Sequence, residues 1–143
     1  MEQRYNLPDT DPEGFNELLK LETFMEKIEW LNPYKYLIKL RASQLNKCAY
    51  CLNMHSKEAL QKGETINRII LLNAWKEATV FDEKEKIVLE FTEHFTLVSL
   101  TRFNDDLFQQ ASAHFNDKQI AQLVMAIGMI NLWNRIVICS GIK

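Results

Sequence analysis

The sequence predicts an all-α, single-domain fold of about six helices, and three observations carry that prediction. Only four glycines and three prolines occur in 143 residues, too few for the tight turns of a strand-rich chain. Apolar residues recur at helical spacing along nearly the whole length. Between the periodic stretches stand side chains that cap helix ends: Asp11 before Pro12, Thr65, Asp82 with Glu85, Asn104, and Asn116 or Asp117.

The first helix is expected to open with Asp11 as N-cap and Pro12 at the first helical position, where the missing N–H has no partner to lose. Phe15, Leu18, Leu19, Met25 and Ile28 then form one apolar stripe, and Leu31-Asn32-Pro33 breaks the helix. Asn32 and Pro33 repeat the cap-then-proline signal and open a second helix to about residue 44. A third runs from about 48 to 62 and stops at Gly63, which takes up a left-handed conformation at little cost. Thr65 caps a helix over 66–78. Asp82 and Glu85 read as a capping box for 83–97, and Asn104 caps a short helix ending near 115. Asn116 or Asp117 opens the most apolar segment, 120–138, whose near-continuous hydrophobicity predicts burial against the domain and against another subunit.

A chain of 143 residues and 16.8 kDa can bury a sizeable core without disulfide staples. No linker or repeat divides it, so residues 1–143 are read as one domain. The formal net charge of −2, with basic and acidic residues interleaved, leaves no basic stripe for a phosphate backbone, and no nucleic-acid partner is expected. The start of the chain lacks an apolar signal region, and the longest apolar run, 123–130, is interrupted by Gly128 and stopped by Asn131. No membrane partner is expected. Three cysteines cannot build a disulfide framework, which points to a reducing, cytoplasmic compartment.

Chemistry concentrates in Cys48-Ala49-Tyr50-Cys51-Leu52-Asn53-Met54-His55. Two thiols one helical turn apart can form and break a disulfide without remodelling a fold, and an imidazole four residues on can handle the proton. At about 100° per residue, Cys51 and His55 fall within about 60° of Cys48. Leu52 and Ala59 share that inward face, while Tyr50, Asn53 and Lys57 point away. Cys48 also stands at a helix start, where free N–H groups favour a thiolate. Two other readings use the same residues. Zinc would take both thiols and His55, but the second half of a finger is missing. Inert core cysteines beside a satisfied core histidine are the plainer alternative. Haem attachment fails, because Leu52 rather than histidine follows Cys51.

Residues 37–59, around this motif, resemble the core of the alkylhydroperoxidase D-like proteins of the carboxymuconolactone decarboxylase superfamily. Ile130-Asn131-Leu132-Trp133-Asn134-Arg135 and the 81–86 segment are similar to the same family, and the likeness spans about 15–138. It implies an all-helical fold that assembles into trimers or hexamers, with no cofactor or metal. It also implies a peroxidase activity on hydroperoxides, renewed by an external dithiol. In that pattern the second cysteine attacks the peroxide and the first resolves it as a disulfide, roles that map onto Cys51 and Cys48, with His55 as proton relay.

The family's relay glutamate lies twelve residues before the first cysteine, where this chain has Tyr36, a poor base at neutral pH. Tyr50 stands where characterised peroxidases can carry histidine. Glu58 projects within about 20° of Cys51, two turns on, and can supply the missing carboxylate or be an exposed acid paired with lysine. Trp133 can line the thiol pocket, a subunit contact or the core, and Arg135 can anchor a carboxylate or a helix end. His94 and His114 read as surface or half-buried, and Cys139 as a packed core thiol. A non-catalytic oligomer with redox-sensing thiols, or one that binds a ligand, is the alternative function. A lactone decarboxylase would leave the cysteine pair without a purpose.

Overall fold

The computed structural model describes residues 2–143, and among them eight α-helices and no strand. They are α1 (Leu7–Thr10), α2 (Pro12–Glu26), α3 (Lys35–Leu45), α4 (Ala49–Gln61), α5 (Ile66–Leu71), α6 (Glu83–Thr96), α7 (Asp105–Ser112) and α8 (Asp117–Ser140). The predicted caps act as expected. Asp11, Thr65, Asp82, Asn104 and Asn116 each accept a backbone N–H in the first turn that follows. Asp82 with Glu85, and Asn116 with Gln119, close reciprocal capping boxes.

Helix α3 runs through the middle of the bundle, packed against α4, α6 and α8. Leu37, Ile38, Leu40, Arg41, Ala42 and Ser43 are all buried, so over that stretch only Lys39 keeps some exposure. Ile38 and Ala42 join Val88, Phe91, Leu107, Leu123 and Ile127 in one core, between α3, α6, α7 and α8. Leu37 and Leu40 join Ala59, Leu72, Trp75, Phe81 and Leu89 in a second, on the α4 and α5 side. Arg41 is tolerated between the two cores because its guanidinium is satisfied. It holds Glu93 at 2.7–2.8 Å, Gln44 at 2.9 Å and Asn73 at 3.0 Å, and Glu93 also accepts the Trp75 N–H at 2.7 Å.

Several expected elements differ. The single turn α1 went unpredicted. Helix α3 begins at Lys35, not Pro33, because a 3₁₀ turn over Glu29–Leu31 first inserts Leu31 into the core. The helix expected over 66–78 stops at Leu71 and tightens into a 3₁₀ turn, Leu72–Ala74. Leu72 and Trp75 thereby both enter the second core, while Asn73 faces Arg41. The α2 stripe buries only Met25 within the helix, followed by Ile28 beyond it, and Leu19 stays 40% exposed. This face covers a cavity rather than solid core.

Helix α8 has the length and apolarity of a membrane span. It nonetheless packs along α3 and α6 and supplies Leu123, Ile127 and Ile130 to the first core. Beyond its first turn, the residues turned outward on it are Ala121, Met125, Gly128, Leu132, Arg135, Ile138 and Cys139. Cys139, expected in the core, lies on this outer stripe as an exposed free thiol, because its place in the helical period is opposite that of Leu123 and Ile130.

The connection from α3 to α4 is the shortest in the molecule that carries chemistry. Lys47 adopts φ of 56°, its N–H bonds the Gln44 carbonyl, and the Cys48 N–H bonds the Ser43 carbonyl at 3.0 Å. That pair of bonds is a Schellman end, with lysine in the left-handed position usually given to glycine. A non-glycine residue there costs about 1–2 kcal/mol, part of which glycine would forfeit as chain entropy. Lys47→Gly is therefore expected to stabilise the fold by up to about 1 kcal/mol, seen as a higher urea midpoint at unchanged slope.

Candidate active site

Cys48 closes α3 and also opens α4. Its backbone is extended, with φ −85° and ψ 93°, and its sulfur faces the Cys51 N–H at 3.4 Å, so sulfur takes the place of a capping oxygen. The two cysteines are joined as a disulfide, with Cα atoms 5.3 Å apart. One turn on comes His55 and one more Ala59, and Cys51, His55 and Ala59 are the buried residues of α4, as the helical phase requires.

The turn that places the thiols is pinned from α8. Asn46 donates to the side-chain oxygens of Asn131 and Asn134, both at 2.9 Å. Asn134, fully buried, donates in turn to Ser43 at 3.0 Å, and Asn131 donates to Thr96 at 2.9 Å. Arg135, expected to anchor a carboxylate or helix end, instead bonds the Asn131 carbonyl and side chain on its own helix, away from the cavity. The motif noticed at 130–135 thus supports the Cys48 turn.

A cavity of about 480 Å³ opens over Cys51. Its walls are mainly apolar, with Met25, Leu31, Ile38, Met129, Ile130 and Trp133 among them, and residues 3–8 pass across its rim. Cys51 and His55 line it. Cys48 instead faces a separate shallow cleft beside Val137, Gly141 and Ile142. Tyr50, expected to point away, is half-buried and reaches both spaces.

One end of the cavity is charged. His55 Nδ1 lies 2.9 Å from Glu58, so Glu58 serves the imidazole rather than a surface lysine. Burial lowers the His55 pKa, against the raising effect of the Glu58 hydrogen bond. Lys39 lies between two acids of α2, at 3.1 Å from Glu22 and 2.8 Å from Glu26. Burial pushes its ammonium down, and the two carboxylates more than reverse this, so its pKa ends raised. Trp133 donates its indole N–H to the other oxygen of Glu22 at 2.9 Å. Tyr36 packs against the second core and does not line the cavity. Burial first, and the Glu58 charge second, raise its pKa, so even less phenolate is present at neutral pH to accept a proton. Glu22 and Lys39, absent from the expected site, are inside it. Their only sequence signal is charge on the cavity-facing side of α2 and α3.

His94 and His114 are half-buried on another side, each 3.6 Å from a glutamate. Among the described residues, no group of three or more His, Cys, Asp or Glu is arranged to hold a metal ion.

The model of the carboxymuconolactone decarboxylase family matches residues 31–94, from just before α3 through the thiol helix and almost to the end of α6. A crystal structure from Agrobacterium tumefaciens, titled a protein of unknown function and candidate antioxidant defence protein AhpD, is 35% identical. It superposes with a TM-score of 0.94 over 99% of this chain and 97% of that one. The chain belongs to the alkylhydroperoxidase D-like branch of the carboxymuconolactone decarboxylase family. The uncharacterized protein YdfG of Bacillus subtilis is 38% identical over 99% of this chain and 96% of its own length. An uncharacterized peroxidase-related protein from Silicibacter sp. TM1040 shares the fold, at TM-score 0.80 and 21% identity, over 93% of this chain and 71% of that one. Membership of this family and a bonded Cys48–Cys51 pair are together compatible with a redox role.

Two measurements follow from this geometry. Asn134→Ala should cost about 2–3 kcal/mol, since it unpairs buried amide and hydroxyl groups. It should also raise the alkylation rate of reduced Cys48, read by peptide mass mapping. His55 has a folded pKa below its ordinary value of about 6.5. Its contribution is therefore present above that value and is lost as pH falls through the folded pKa. The stability advantage of wild type over His55→Gln, measured by urea denaturation, should shrink from about pH 8 to about pH 5; a widening gap would show the opposite shift.

Proposed function

We propose that this protein is a thiol-dependent peroxidase that reduces hydroperoxides at Cys51, resolves through Cys48, and is returned to the dithiol form by an external dithiol in a reducing compartment, the cytoplasm. One observation carries the reading: the cavity ends on Cys51 and His55, while Cys48 lies behind it. A peroxide entering there meets the second cysteine first. The mainly apolar walls favour a hydroperoxide with a hydrocarbon body.

In the reduced enzyme, neutral His55 accepts the Cys51 proton, and Glu58 at 2.9 Å stabilises the imidazolium. The Cys51 thiolate attacks the terminal peroxide oxygen. The O–O bond breaks, an S–O bond forms, and the leaving alkoxide takes the proton from His55 as alcohol. The Cys48 sulfur then attacks the sulfenic acid, giving the disulfide and water. Exchange with an external dithiol restores both thiols and leaves that partner oxidised. The buried imidazole suits its first task, since burial lowers its pKa and favours the unprotonated form at neutral pH. The Cys48 position at the start of α4 suits resolution, because the Cys51 N–H and the helix dipole favour sulfur carrying negative charge.

Assembly is part of the proposal. The outward stripe of α8 is apolar or small from Ala121 to Leu132, and a Cβ built on Gly128 would meet nothing within 4 Å. An uncovered apolar helix face of this kind supports a homo-oligomer, trimer or hexamer, with α8 at the contact. Met125→Lys with Leu132→Glu should then reduce the mass found by light scattering to that of one chain, while the parent protein elutes as the oligomer.

Peroxide consumption with a dithiol donor should fall to background in Cys51→Ser. Cys48→Ser should accumulate a species one oxygen atom heavier after a single turnover; no consumption by wild type with any dithiol donor would end the peroxidase reading. Glu58→Gln removes a group that raises the His55 pKa. The acidic limb of kcat/KM should therefore move to lower pH, with a lower plateau.

A further inference from the structure

Helix α2 is attached unlike the other long helices. Only Met25 of its fifteen residues is buried, and Leu19, Leu21 and Phe24 are 39–50% exposed. Its C-terminal end is firmly held. Met25 enters the core, and Lys35 and Lys39 grip the Glu26 side chain at 3.2 and 2.8 Å, with Lys35 also donating to the Glu26 carbonyl at 2.6 Å. Farther up, two contacts converge on a single side chain of α8. Phe15 meets the Trp133 ring edge-on with centroids 6.2 Å apart, and Glu22 accepts the Trp133 N–H at 2.9 Å while its second oxygen faces Lys39 at 3.1 Å. Phe15, Glu22 and Trp133 are all walls of the cavity over Cys51.

We infer that the Glu22–Trp133 contact is a size gate on this cavity: made, it closes α2 against α8 so that only slender molecules reach Cys51, and broken, it lets the N-terminal half of α2 swing out about its Met25 end. The swing is limited on its far side by the Arg4 N–H bond to the Ser140 carbonyl at 2.7 Å, and it exposes little core because the only residue α2 buries is at the fixed end. Glu22 is suited to hold it shut, since one carboxylate ties α2 to both α3 and α8 through donors of different kinds. Glu22 and Trp133 are positioning residues that set which substrates enter, and neither takes part in the proton or sulfur chemistry. That consequence rests on the peroxidase reading, whereas the gate itself concerns access to a thiol.

The test therefore uses alkylation of the reduced protein in a Cys139→Ser background, with Cys51 modification followed by peptide mass mapping. Iodoacetamide is the slender probe and N-(1-pyrenyl)maleimide the bulky one. Glu22→Ala and Trp133→Phe should each raise the bulky-to-slender rate ratio at Cys51 by about tenfold, the population shift expected when one charge-assisted hydrogen bond is lost. The double variant should not exceed Glu22→Ala, because that single change already removes the contact with Trp133. Glu22→Gln, which keeps an acceptor for the indole, should stay near wild type. An unchanged ratio in either single variant, additive effects, or an equal rise for both probes would overturn the gate. None of these outcomes depends on peroxide turnover; if the ratio shifts as expected and no hydroperoxide is consumed, the gate stands and the peroxidase reading falls.

Discussion

The side-chain amide of Asn46 is the joint on which the arrangement depends. It sits in the turn between α3 and α4, and both of its donated bonds go to asparagines on the buried side of α8. One of them, Asn134, is fully buried, and a buried amide left without partners would cost more than the same amide bonded gains, so the turn and α8 fix one another's position. Every thiol coordinate is then inherited. The Asn46 anchor sets the turn, the turn sets Cys48, and Cys48 sets the phase of α4 and with it Cys51 and His55. The central helix α3 is rigid enough to transmit this because it is packed on both sides by apolar cores, and because Arg41, the charge between them, is fully answered.

The cavity shows how a missing group can be answered by neighbours of different origin. Tyr36 stands where the family has a carboxylate, and it lies outside the cavity wall. Carboxylates nevertheless arrive there from two directions, Glu58 from the thiol helix itself and Glu22 with Glu26 from α2. Lys39 balances the α2 pair, so Glu58 is the acid left to speak directly to the imidazole. Its Coulomb effect and that of Lys39 oppose one another at His55, and burial decides the sign.

What the sequence made legible was local. Caps at Asp11, Thr65, Asp82, Asn104 and Asn116 act through side chains only three residues away, so helix starts could be read from neighbours alone. The same holds for the shared face of Cys51 and His55, which needs only helical rotation. Long-range facts were hidden. Nothing near residue 66 announces that Leu72 and Trp75 must turn into the same core, so the sequence reads as a longer helix than the one that forms. Glu22 lies far from the cysteines in sequence and shares a cavity with Cys51 only because α2 folds over α8. Cys139 reads as a core thiol because α8 carries apolar residues on its inner and outer faces alike, and composition alone cannot tell one from the other. Arg135 was recognised within a motif, but its partner is on its own helix.

The turn at 46–48 has no slack, and this bears on how the site can be altered or moved. One residue added between Leu45 and Cys48 would break the pair of turn bonds that ends α3 and part Cys48 from the Asn46 anchor, leaving His55 without a fixed place on the cavity wall. Residues 43–55 are thus a cassette with an external key: transplanted into another helical scaffold, the cysteine motif alone would bring thiols without their orientation, and the segment becomes portable only with Asn131 and Asn134 facing it from a second helix.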